Sequence, residues 1–129
     1  MRRVPKALGV AVKLFTFVDL IDPDSKEIFS VRARLTLLTT EDGGRQSGIS
    51  SRYRPNHNFG DPDGREMYIG QIEFSDREFI EPGETNEVTV NFIPGRGLSE
   101  KLKVGREWRI QEASRLVGNA TVLELLNDT

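Results

Sequence analysis

An all-β fold is predicted by three features of this sequence: segments alternating apolar and polar residues at period two, glycine- and proline-rich turns between them, and no capped amphipathic helix of ordinary length after Phe29. Alternation is informative because successive side chains of a strand point to opposite faces, so one face enters a core while the other meets water. Short strands with such punctuation suggest a sandwich or a barrel.

The clearest strand is Val31 to Leu37, where Val31, Ala33, Leu35 and Leu37 share one face. Tyr68 to Phe74 follows, with Ile72 and Phe74 together, and then Glu87 to Phe92, with Val88, Val90 and Phe92 inward. Trp108-Arg109-Ile110 is a further strand, and Asn119 to Leu126 closes the series with a less strict pattern. Turn formers separate them at Asp42-Gly43-Gly44, Asp61-Pro62-Asp63-Gly64, Glu81-Pro82-Gly83-Glu84 and Pro94-Gly95-Arg96-Gly97. In the third, Pro82 presets φ for position i+1 and Gly83 suits position i+2 of a type II turn. Residues 1–27 form an N-terminal extension. Val10, Val12, Leu14 and Thr16 alternate as in a strand, whereas Ala7, Ala11, Leu14, Phe15 and Val18 would share a helix face. Their β-branched and aromatic content, with Gly9, favours an added strand.

A chain of 129 residues is long enough for one hydrophobic core and short for two, so one domain is expected. Hydrophobic residues at 36% and charged residues at 29% exclude a disordered chain. There is no cysteine, which rules out disulfides, thiolate zinc sites and a thiol nucleophile. Lys13 and Thr16 break the apolar run near the start, so neither a signal peptide nor a membrane span is read, and a cytoplasmic protein is expected. A net charge of −2 offers no global attraction to a phosphate backbone, so a nucleic-acid contact needs a local basic face.

The order of motifs resembles the third, C-terminal β-barrel domain of elongation factor Tu, over roughly residues 28 to 127. Leu35-Thr36-Leu37-Leu38 runs into the acidic turn Glu41-Asp42-Gly43-Gly44-Arg45, then come Tyr53-Arg54-Pro55 and Gly70-Gln71-Ile72-Glu73. Glu81-Pro82-Gly83-Glu84 precedes the alternating Val88 to Phe92, and the closing strands are similar to Trp108 to Glu112 and Arg115 to Val122. The resemblance implies a small closed antiparallel six-stranded Greek-key barrel over residues 28–129, a form that leaves no exposed sheet edge. It also implies a non-catalytic binding domain whose partner is transfer RNA or a translation-related protein. The implied RNA- or partner-binding residues are Arg45, Arg54, Asn56, Glu112 and Arg115.

Three departures stand out. Ala113-Ser114 replaces the family's two glycines between Glu112 and Arg115, Asn56-His57-Asn58-Phe59 replaces a glutamine and an aromatic-rich strand, and Gly60 to Arg65 is insertion-like. They favour the alternative of a protein-interaction module without an RNA role.

Each candidate group also has a structural reading. Gly43-Gly44-Arg45-Gln46-Ser47-Gly48 does not fit the phosphate loop G-x-x-x-x-G-K-[ST], so no GTP binding is expected and the glycine pair reads as a hairpin turn. Arg45, Arg52, Arg54 and Arg65 around Tyr53, His57 and Phe59 make a basic, aromatic stretch suited to RNA, or else solvated loop charge. With His57 the one histidine and no cysteine, a metal site would need it plus carboxylates such as Asp61 and Asp63, and a loop histidine is the preferred reading. Asp19, Asp22 and Asp24 lack the glycine and late glutamate of a calcium loop and read as a capped turn. No nucleophile-elbow serine or triad is evident, so neither enzyme activity nor a cofactor is expected. Trp108, in a pattern with Val104, Ile110 and Val117, reads as core rather than as a stacking platform.

Overall fold

The computed structural model describes residues 28–60 and 67–126. Its strands are β1 (Phe29–Leu37), β2 (Ile49–Ser50), β3 (Asn56–Asn58), β4 (Met67–Glu73), β5 (Phe79–Ile80), β6 (Thr85–Phe92), β7 (Glu107–Glu112) and β8 (Arg115–Leu125). A short helix, α1 (Leu98–Lys101), lies between β6 and β7. Six strands close into an antiparallel barrel in the order β1-β6-β4-β3-β7-β8, with β8 returning to β1, while β2 and β5 pair separately. Strands β3, β4 and β6 are successive neighbours and β7 returns beside β3, which is the Greek-key connection.

The alternating segments behave as expected. Val31, Ala33, Leu35 and Leu37 from β1, and Val88, Val90 and Phe92 from β6, all face the core, because the two strands pair without a break from Phe29↔Phe92 to Thr36↔Thr85. Ile72 is buried in β4, whereas Phe74 lies one residue past that strand and packs on the core only partly buried. The looser pattern of β8 has a definite cause: its registers slip where Leu123 is inserted opposite Arg32/Ala33 and where Val117 is inserted opposite Ile110/Gln111. The bulge at Val117 shifts the inward phase by one residue, so Val117, Ala120 and Val122 all reach the core, whereas Leu125, past the second bulge, is exposed.

Two turns deserve the glycines they carry. In Glu81-Pro82-Gly83-Glu84, Gly83 adopts φ 90 and the Glu84 amide donates to the Glu81 carbonyl at 3.0 Å, the expected type II arrangement. At residues 39–44, Gly43 takes φ 97 while Gly44 is needed for close approach, since a Cβ there would lie 2.5 Å from the Leu38 carbonyl oxygen. This second turn is not the expected hairpin: it leads from β1 to β2, and β2 pairs with β5.

Trp108 is buried, as expected, but Val104 is 67% exposed and takes no part in its packing. The proposed extra strand in residues 1–27, the Asp19–Ser25 turn, the turn at Asp61–Gly64 and Arg65 lie outside the described residues. Among the described residues no helix is long and apolar enough to cross a membrane.

Candidate functional site

Arg45 follows the glycine turn after β1, Tyr53 is held by a bridge to Ile72 of β4, and Glu112 and Arg115 face each other across the turn between β7 and β8. These four residues converge at one end of the barrel. Arg45 donates through Nη1 to Glu112 Oε2 and through Nε to the Ser47 carbonyl at 3.1 Å. Its guanidinium lies 5.1 Å from the centroid of the Tyr53 ring, within cation–π range. The Tyr53 hydroxyl donates to the same Glu112 oxygen at 2.5 Å. Arg115 donates from Nε to the Gly43 carbonyl at 3.1 Å and from Nη2 to that of Gly44, which ties the β7–β8 turn to the glycine turn.

The electrostatics follow from this geometry. Partial burial by itself would raise the Glu112 carboxyl, but the hydrogen bonds from Tyr53 and Arg45 and the charges of Arg45 and Arg115 outweigh it and hold the group below the usual carboxylate range. Burial, and then the hydrogen bond to a carboxylate, push the Tyr53 phenol well above its ordinary value. Loss of solvation works against the charge on Arg45, yet Glu112 more than offsets it and raises the guanidinium further. All three groups therefore keep one protonation state across neutral pH, an arrangement suited to binding and positioning rather than to proton transfer. The Arg45 and Glu112 side chains remain 25% and 34% exposed, so the pair is open to exchange with an incoming ligand.

Of the residues implied by the resemblance, Arg45, Glu112 and Arg115 are brought into contact or charge–charge range. Arg54 is exposed beside the cluster, with its Nε 3.4 Å from the Arg52 carbonyl. Asn56 is half-buried on β3, in register with Gln111, the residue before Glu112. Tyr53 emerges as a central member through its hydroxyl. The Tyr53-Arg54-Pro55 step already singled it out, but the sequence carries no sign of its partner 59 residues away.

The expected basic and aromatic stretch is corrected in two places. His57 is no loop residue: it lies in β3 with 0% exposure, and Phe59 is 5% exposed, so neither ring is available for stacking on a ligand. Both join an aromatic cluster with Phe92 and Trp108, in which Phe59 and Trp108 stack at 4.9 Å. The Trp108 indole N–H donates to His57 Nδ1 at 3.0 Å. That donor-only contact fixes the tautomer, so His57 Nε2 carries the proton and donates to the Gly70 carbonyl at 3.0 Å. Complete burial lowers the imidazole pKa to about 4, against a smaller opposing effect of Gly70. With both nitrogens occupied, His57 is not poised to bind a metal, and among the described residues no group of three or more candidate ligands is present. No protein-family model matches the chain.

Proposed function

We propose that this chain is a non-catalytic binding barrel of the elongation factor Tu C-terminal type, and that it contacts RNA or a translation component through the barrel end around Arg45. The observation that carries this reading is the convergence of Arg45 with Glu112 and Arg115, drawn from segments about half the chain apart. Exposed Arg54, next to Tyr53, adds to this cluster a local positive charge that a net charge of −2 does not supply.

The test is fluorescence anisotropy of labelled aminoacylated and deacylated transfer RNA, titrated with wild type and Arg54→Ala at several salt concentrations. Binding that weakens with salt, with a slope of several phosphate contacts, and that loses about one unit of slope in Arg54→Ala supports the RNA reading. Absence of binding at low salt removes it.

A second reading, a protein-interaction module without an RNA role, is favoured by a specific observation. The guanidinium of Arg45 is already engaged by Glu112 and that of Arg115 by two carbonyls, which leaves less positive charge for phosphates. A partner held in this way would bind with much weaker salt dependence.

A further inference from the structure

A second polar arrangement lies on the outer face of β1, β6 and β4, separate from the Arg45 cluster. Ser30, Asn91 and Gln71 form a row across these strands, since Ser30 pairs with Asn91 and Asn91 with Gln71 in register. They alternate with the core residues Val31, Val90 and Ile72, which places their head groups on the outside. Ser30 Oγ donates to Asn91 Oδ1 at 2.6 Å. The amide nitrogens of Asn91 and Gln71 then both donate to Glu73 Oε2, at 3.1 and 2.7 Å. Asn91 and Gln71 are only 3% and 2% exposed, and Gln71 Oε1 is buried without a hydrogen-bond partner.

Such a network is unusual on a barrel exterior. Two buried amides orient one carboxylate, one of them leaves an acceptor unsatisfied, and Glu73 has no ion-pair partner among the described residues. Glu73 stands in the wall of a groove of about 630 Å³, together with Ser51, Arg52, Phe74, Thr89 and Asn91. Through Glu73, Phe74, Ser75 and Thr89 this groove runs on into a second of about 340 Å³, lined also by Asp76 and by the ion pair of Arg32 with Glu87. Arg52 is exposed, makes no ion pair among the described residues, and holds φ 80, a conformation that a non-glycine residue adopts only under strain. One groove thus carries a free guanidinium and a preorganised carboxylate that do not neutralise each other.

We propose that this groove binds an extended peptide segment of a protein partner, with a basic side chain on Glu73 and an acidic one on Arg52. The basic group supplies Glu73 with its missing counter-charge. The buried Gln71 and Asn91 amides stay behind Glu73 and hold its carboxylate towards the groove. The aliphatic stem of the basic residue packs on half-buried Phe74, while the Ser51 and Thr89 hydroxyls meet the peptide main chain. An open groove suits an extended chain better than a small molecule, which pockets bury over most of its surface. Glu73, which has no ion-pair partner among the described residues, repels a phosphate group, so RNA is the disfavoured occupant of this groove.

The probe is the capped peptide acetyl-Gly-Lys-Ser-Glu-Gly-amide, with acetyl-Gly-Gln-Ser-Gln-Gly-amide as its neutral counterpart, titrated into the full ¹⁵N-labelled chain and followed by amide chemical shifts. Saturable shifts at Ser51, Phe74, Thr89 and Asn91 are expected for the charged peptide and not for the neutral one. Glu73→Gln and Arg52→Gly should each weaken binding by about fivefold or more, and Arg52→Lys should restore part of it. Arg52→Gly separates binding from folding, because glycine accepts the positive φ while losing the guanidinium. Equal shifts with both peptides, no response up to about 5 mM, or undiminished binding in both Glu73→Gln and Arg52→Gly would overturn the proposal.

Discussion

The indole N–H of Trp108 donates to Nδ1 of His57 across 3.0 Å of sealed barrel interior, and this one contact dictates which nitrogen of the histidine holds its proton. Burial away from water disfavours the charged imidazolium and lowers the His57 pKa to about 4, and a proton on Nδ1 would also face the Trp108 N–H donor.

Stability should therefore depend on pH through His57. Its folded pKa lies below its ordinary value of 6.5, so between those two values the unfolded chain binds the extra proton and the folded chain does not. The full contribution is present above pH 6.5 and is lost as pH falls towards 4, by about 3 kcal/mol in all. Urea denaturation at stepped pH measures it. In His57→Phe this part of the pH dependence should vanish, and its persistence there would assign the effect to other groups.

Trp108→Ala should destabilise the barrel by about 3–5 kcal/mol, because the side chain is 3% exposed and packs against His57, Phe59 and Phe92. A loss below about 1 kcal/mol in chemical denaturation would contradict that packing.

Ala113 opens the two-residue turn between β7 and β8 with φ 54, in the left-handed region that an alanine side chain disfavours. Ala113→Gly should raise stability by about 0.5–1 kcal/mol in calorimetry, since the strain relieved exceeds the extra freedom gained by the unfolded chain. A lower melting temperature would mean that the turn is not strained.

Glu112→Gln should lower the pH at which Tyr53 ionises. The carboxylate that accepts the phenol hydrogen bond disappears while the Arg45 guanidinium, which favours phenolate, remains. Ultraviolet absorbance titration, with Tyr53→Phe used to subtract Tyr68, reads the change. An unmoved titration would mean that burial alone governs Tyr53.

The legible and illegible parts of this fold divide along physical lines. Strands β1 and β6 could be read directly, because each keeps one phase of alternation against an unbroken partner. In β8 the two bulges reset the phase, and the pattern blurred accordingly. Two- and three-residue strands such as β2 and β3 are too short to show a period. Asn56-His57-Asn58 resembled a loop because no residue in it is apolar, although pairing with β4 and β7 buries the ring. At the candidate site, Arg45, Glu112 and Arg115 were indicated by resemblance to a known barrel, but their contacts with Tyr53 and with the carbonyls of Gly43 and Gly44 were not.

The sequence by itself determined the all-β class, the inward faces of β1 and β6, and the Pro82-Gly83 turn, since these depend on the chemistry of adjacent residues. Only the tertiary structure decided the burial and tautomer of His57, the internal engagement of Arg45 and Arg115, and the groove that Glu73 and Arg52 share. Those features arise from pairings between residues far apart in the chain, whose geometry is set by strand register and barrel closure and leaves no local periodicity to read.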